Sequence, residues 1–168
     1  MIGYFTVAHT GTQYFRKHYF GDAGLNWVDL DMLCDDPTRV RVTHCTRGSA
    51  SRIRAFDGEV ITTIRDPLKC LVSWYARGKL AEGPNRYAEW RGAWQCWRDD
   101  VRQRASKVLS LESLSSESEV INSITHNSLV HYLFERHDFS ELFKLIDRSE
   151  VEYVLDLIDA PNEYRWWQ

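Results

Sequence analysis

The chain contains no run of ~18 apolar residues, so no membrane-spanning helix is expected. Its cysteines are few, Cys34, Cys45, Cys70 and Cys96, and no two of them form a C-x-x-C pair. That spacing argues against a zinc ribbon or a disulfide framework and fits a reducing compartment. No other metal-ligand spacing occurs either. The sequence does not open with a charged segment followed by an apolar run, so no secretory signal is expected and a cytoplasmic location follows. An excess of basic charge is also missing. Lys and Arg number 21 against 24 Asp and Glu, a net charge of −3. This excludes a general nucleic-acid binder and confines any cationic site to a local cluster. There is no G-x-x-x-x-G-K-[ST], hence no Walker A loop. Repeats and low-complexity tracts are absent, and the nearest approach to a linker is the Ser/Glu-rich stretch 113–118.

What is present describes one globular domain. The 168 residues are 43% hydrophobic and 27% charged, enough to bury a substantial core. Aromatic residues reach 13%, with seven Trp, which serves both a core and a ligand that stacks. Apolar runs predict strands at residues 4–8, 26–30, 40–43, 59–64 and 107–111. Glu59 to Ile64 is the clearest, and its β-branched character suits an interior parallel strand. Helical patterns follow Pro67, span about Tyr87 to Arg104 with Trp90, Trp94, Trp97 and Val101 on one stripe, and run on towards Phe134. Capping boxes are expected at Ser116-x-x-Glu119 and Ser149-x-x-Glu152, the latter opening a last helix that Pro161 terminates. Strands alternating with helices predict an α/β fold in three layers, P-loop-like, with a mostly parallel sheet of about five strands flanked by helices.

The stretch from Tyr4 to Phe15 is the expected centre of activity. A buried strand turns through His9-Thr10-Gly11-Thr12 and enters a helical pattern running from Gln13 to Phe20. Gly11 permits close approach of the backbone to a ligand. The amides of a first helical turn and the hydroxyls of Thr10 and Thr12 are anion donors. An ordinary strand-to-helix turn would have the same composition.

A second constellation follows the fourth strand. Asp66 can cap a helix that has Pro67 at its first position. Leu68, Leu71, Val72 and Tyr75 form its apolar face, and Lys69, Ser73 and Arg77 lie at i, i+4 and i+8 on another. With Arg65 at the strand end, a phosphate there would meet a guanidinium and a hydroxyl. A solvated face is the plainer reading. His9, His44 and Arg65 each fall just after a strand, at the sheet edge where parallel sheets bind ligands.

These residues resemble the sulfotransferase family, which uses PAPS (3′-phosphoadenosine 5′-phosphosulfate) as donor. Ala8-His9-Thr10-Gly11-Thr12-Gln13-Tyr14 looks like the family's P-K-S-G-T-T-W loop. The resemblance implies that His9, Thr10, Gly11, Thr12 and Gln13 hold the 5′-phosphosulfate and that Tyr14 stacks on adenine. Arg65-Asp66-Pro67 through Ser73-Trp74-Tyr75 is similar to the family's R-x-P-x-x-x-x-x-S motif, which implies that Arg65 and Ser73 bind the 3′-phosphate. Val42-Thr43-His44 resembles K-T-H, whose His is the catalytic base. Residues 108–114 look like the later strand that ends in E-D-L. The likeness covers residues 4–114, and it implies a single sulfotransferase-like domain over 1–168, with 1–114 as the nucleotide-binding core and 115–168 as a helical C-terminal part.

Three departures stand out. His9 replaces the Lys that neutralises the bridging oxygen as the sulfuryl group leaves, a task it could perform as an imidazolium or as a neutral donor. The C-terminal R-K-G-x-x-G-x-W-K loop is absent, with Arg165-Trp166-Trp167 the candidate substitute. The chain is short for the family, so the acceptor pocket should be small, open, or completed by another subunit of a homo-oligomer.

The expected activity is in-line transfer of a sulfuryl group from PAPS to a hydroxyl or amine of a small molecule or carbohydrate. His44 would act as base and His9 would assist the leaving group, with no metal. Two other readings remain open: a non-catalytic PAPS or nucleotide-binding module, and a P-loop-type phosphotransferase.

Overall fold

The computed structural model describes residues 1–12, 14, 15, 19, 27–113 and 129–168. Gln13 and the Ser116/Glu119 capping box lie outside these. The described strands are β1 (Ile2–Thr6), β2 (Trp27–Asp29), β3 (Val40–His44), β4 (Glu59–Ile64) and β5 (Ala105–Ser110). They form one sheet of order β2-β3-β1-β4-β5, and every pairing is parallel.

Side chains alternate across a strand, so a strand covered on both faces must be apolar throughout. β1 shows this directly. Tyr4 joins Phe15, Val40, Val42, Ile61 and Leu111 in a core on one face. Phe5 joins Ile53, Leu68, Trp94 and others in the larger core on the opposite face. The result is a three-layer α/β fold. On the larger face lie α1 (Ala50–Ala55), α2 (Pro67–Ala76) and α3 (Ala88–Cys96). The C-terminal helices α4 (Leu129–Glu135), α5 (Phe139–Leu145) and α6 (Arg148–Leu157) add to the same core.

The Trp stripe is core. Trp90, Trp94 and Trp97 are fully buried and meet edge to face in series at 5.7 Å, a favoured aromatic arrangement. The helix does not stay α to its end, because residues Trp97–Arg102 widen into a π-turn. Trp97, at the start of this turn, points inward, and its Nε1–H donates to Thr62 Oγ1 at 2.8 Å.

Two boundaries differ from the sequence pattern. The last helix is capped by Asp147, whose carboxylate accepts from the Ser149 amide at 2.8 Å, so Ser149 lies inside the first turn. An Asp two residues earlier offers the stronger acceptor and wins. The same helix ends before Pro161, in a paired C-cap: the Ala160 amide bonds to the Leu155 carbonyl and the Asp159 amide to that of Asp156. Asp159 takes a left-handed φ of 48° there. α5 gave no distinct sequence signal. Among the described residues no helix is long and apolar enough to cross a membrane.

Topology places the site. The chain leaves β1 towards β2 on one side of the sheet and leaves β4 towards β5 on the other. The loops after these two neighbours therefore face each other across the switch point of the sheet.

Gly11 is the tightest point of the first of those loops. Its φ is 88°, and a Cβ would lie 2.9 Å from Leu111 Cδ1. Gly11→Ala should lower stability in denaturant titrations by about 1–3 kcal/mol through the strained φ and the clash. Combined with Leu111→Ala, the loss should be less than the sum of the two single losses. Strict additivity would show that the Leu111 contact is irrelevant.

Candidate functional site

The loop that follows β1 is held by its carbonyls. Val7 O accepts from the Thr10 hydroxyl at 2.7 Å. Ala8 O accepts from Trp74 Nε1 at 2.9 Å and lies 3.3 Å from Cys70 Sγ. His9 O accepts from Arg65 Nη1 at 3.0 Å. His9 itself takes a left-handed φ of 66°, followed by Gly11 at 88°. Left-handed residues in a turn of this kind gather successive amides into an anion-binding concavity. A positive φ in a non-glycine residue persists only where the surroundings over-determine it, and three consecutive anchored carbonyls do so here. Past Gly11 the chain becomes helical, with the Phe15 amide on the Gly11 carbonyl at 3.0 Å.

Those anchors come from β4 and α2. Asp66 caps α2 by accepting from the Leu68 amide at 2.9 Å, and Pro67 occupies the first turn. The apolar face of α2 packs into the larger core, which directs Cys70, Ser73 and Trp74 at the loop. Ser73 Oγ lies 2.9 Å from His9 Nδ1. The structure therefore brings His9, Arg65 and Ser73 together, as the two motifs required.

Arg65 is the unusual member. It is 4% exposed, and its Nε is buried with no hydrogen-bond partner. Among the described residues no salt bridge engages it, and the carboxylate beside it, Asp66, is directed to Leu68 and Trp166. A guanidinium removed from water without a counter-charge is unfavourable by several kcal/mol, and an anion against the loop would relieve it.

The surroundings act on His9 in the same sense. Burial, then the positive charges of Arg77, Arg65, His44 and Lys79, lower its pKa to about 4. His9 is thus held as a neutral imidazole without a ligand, one of the two forms in which it could assist a leaving group. Desolvation and neighbouring cations both oppose its protonation, and a bound dianion acts in the opposite direction.

His44 is exposed at the end of β3. Its Nδ1 lies 3.4 Å from Thr6 Oγ1, and Ser49 Oγ donates to its carbonyl at 2.7 Å. It opens on a cavity of about 610 Å³ whose lining includes Thr12, Trp27, Thr43, Ser49 and Arg52. Arg52 pairs with Asp31 and Arg39 with Asp36, both as exposed ion pairs.

The C-terminus reaches the same edge of the sheet. Trp166 Nε1 donates to Asp66 Oδ2 at 2.7 Å, and the Tyr164 hydroxyl donates to Glu112 Oε2 at 3.0 Å. Glu112 Oε1 in turn accepts from the Asp66 amide at 2.7 Å. Burial raises the Asp66 carboxyl to about 6, with Glu112 adding to the rise. Arg165 turns away to Asp156 at 2.8 Å and Trp167 is buried. The Arg165-Trp166-Trp167 stretch therefore braces the Arg65 loop from behind through Trp166 alone.

Some expected roles shift. Thr10 is fully buried, with its hydroxyl on Val7 O and 2.7 Å from Thr63 Oγ1, so it braces the loop and offers no hydroxyl to a ligand. Thr12 Oγ1 lies 2.7 Å from Thr6 Oγ1. Tyr14 is half-buried and meets Phe15 edge to face at 5.7 Å. Gln13 lies outside the described residues. Thr6 was not singled out from the sequence, and Asp66, Glu112 and Trp166 were marked only as a helix cap, part of a strand-end likeness and part of a candidate closing segment. For Thr6 a signal existed: it is the polar end of an otherwise apolar strand.

Proton linkage at His9 has a definite sign. Above its unfolded pKa of about 6.5 both states are neutral, and below it the unfolded chain binds a proton that folded His9 refuses. Its contribution to stability is therefore lost as pH falls from 6.5 towards about 4. Asp66, with a raised pKa, acts oppositely over the same window. His9→Gln should reduce the acid sensitivity of thermal stability between those pH values, and NMR titration should find wild-type His9 unprotonated at pH 6. A His9 that titrates near 6.5 would contradict this electrostatic picture. The chain matches no protein-family model, no curated protein and no solved structure, so what the site does must be argued from its own residues.

Proposed function

We propose that this protein transfers a sulfuryl group from PAPS to a hydroxyl or amine acceptor. The observation that carries the reading is Arg65: a buried guanidinium with no salt bridge among the described residues, hydrogen-bonded to the carbonyl of His9, whose side chain in turn meets Ser73. Such a group calls for a doubly charged anion, and a 3′-phosphate supplies one. The loop from His9 to Thr12 would receive the 5′-phosphosulfate.

In the reaction the acceptor oxygen or nitrogen attacks sulfur as the bond from sulfur to the bridging oxygen breaks. The electron pair of that bond remains on the 5′-phosphate, and the acceptor proton passes to His44. Positioning and charge neutralisation do most of the work in such transfers. The cavity beside His44 is the place for the acceptor. His9 donates to the bridging oxygen as a neutral imidazole, or as an imidazolium once the dianion has raised its pKa.

A specific observation also favours a second reading, a module that binds PAPS without turnover. His9 is neutral where a fixed cation would serve the leaving group better.

Single-turnover transfer of labelled sulfate from PAPS separates the two. His44→Ala should lower turnover by about 10²–10⁴ with nucleotide affinity intact. Absence of transfer to any acceptor, with tight PAPS binding, would favour the binding module. Calorimetry adds a check on Arg65. Arg65→Ala should weaken the 3′-phosphorylated desulfo product by about 1.5–3 kcal/mol and leave AMP nearly unchanged. Equal affinity of the wild type for both nucleotides would overturn the 3′-phosphate assignment.

A further inference from the structure

Thr6 closes β1 next to the partner strand's His44. The two are register partners in the parallel pair of β1 and β3. Its hydroxyl is fully buried and lies 2.7 Å from Thr12 Oγ1 and 3.4 Å from His44 Nδ1. Thr12 is in the anion loop, so one hydroxyl stands between that loop and the candidate base.

A hydroxyl carries one proton, so the chain has two polarities. In the first, His44 Nδ1–H donates to Thr6, Thr6 donates to Thr12, and the Thr12 proton turns outward. His44 Nε2 is then unprotonated and can accept a proton. In the second, Thr12 donates to Thr6 and Thr6 donates to Nδ1. The Thr12 proton is then turned inward, and the neutral imidazole carries its proton on Nε2.

We infer that Thr6 is a positioning residue that couples an anion in the His9–Thr12 loop to the tautomer of His44. This rests on the function proposed above for the identity of the anion and the base. An anion accepting from Thr12 selects the first polarity, so the donor nucleotide itself prepares the base. Burial of Thr6 keeps water from breaking the chain. The charged groups around His44 are Asp29, Arg39 and Arg52 on the cavity wall, and the titratable His9 also interacts with it electrostatically. They bear on whether the ring is charged, whereas the hydroxyl chain sets which nitrogen of the neutral ring holds the proton.

The test is ¹⁵N NMR of the histidine side chains in the full chain, with His44 assigned from a His44→Asn sample. Spectra are recorded at pH 7.5 with no addition, with pyrophosphate, and with the 3′,5′-bisphosphate product of PAPS. In the wild type the ratio of the Nδ1–H to the Nε2–H tautomer should rise about tenfold on anion binding, the effect of one hydrogen bond. Thr6→Ser should retain the rise and Thr6→Val should lose it. If Thr6→Val does not fold, Thr12→Val breaks the same chain one link away and should give the same loss. Binding with an unchanged tautomer, or a normal rise in both valine variants, overturns this inference alone. Failure of both anions to bind overturns it together with the proposed function.

Discussion

A buried positive charge governs this structure. The Arg65 guanidinium lies beneath the loop after β1, with one donor on the His9 carbonyl and another nitrogen unsatisfied. Such a group is tolerated only where the fold holds it firmly, and much of the local architecture does so. β4 delivers it at the carboxyl edge of the sheet, Asp66 and Pro67 start α2 immediately behind it, and Trp166 locks Asp66 in place. The charge also acts outward. It helps to keep His9 neutral, and it leaves a positive charge at the switch point of the sheet with no salt bridge among the described residues.

The loop itself is held in a strained form by contacts from elements far apart in the sequence. His9 is left-handed because its own carbonyl is drawn to β4 while those of Val7 and Ala8 are drawn to Thr10 and to α2. The C-terminal turn has no direct part in the loop, yet it secures Asp66 and Glu112, which fix the start of α2 and the end of β5. A loop pre-shaped in this way need not reorganise when an anion arrives, the condition under which fixed dipoles and charges act most strongly.

Much of the fold was legible because the strands are short, apolar and bounded by clear turn residues. Glu59 to Ile64 was read to its ends. The Asp66-Pro67 start of α2 and the buried Trp stripe were equally plain, since capping chemistry and helical spacing are local properties. Less legible were features that depend on tertiary partners. Asp147 displaced Ser149 as a cap, and Trp97, where the π-turn begins, bonds to Thr62 in β4. At the site, sequence order marked His9, His44, Arg65 and Ser73, because each follows a strand or lies on the helix after one. It could not reveal that Thr10 points inward, that burial and cations suppress the charge on His9, or that Trp166 reaches Asp66 across the chain. Those are consequences of packing, with no short-range pattern to announce them.

The central claim is that the crevice between the His9 loop and Arg65 is built for a 3′-phosphorylated adenine nucleotide. Thermal unfolding of the intact protein tests it most directly, with the 3′,5′-bisphosphate product of PAPS set against magnesium ATP, GTP and AMP at equal concentrations. The bisphosphate alone should raise the midpoint markedly, since a ligand at 100 times its Kd stabilises by about 2.7 kcal/mol. No rise with the bisphosphate, or an equal or larger rise with magnesium ATP or GTP, would contradict the account.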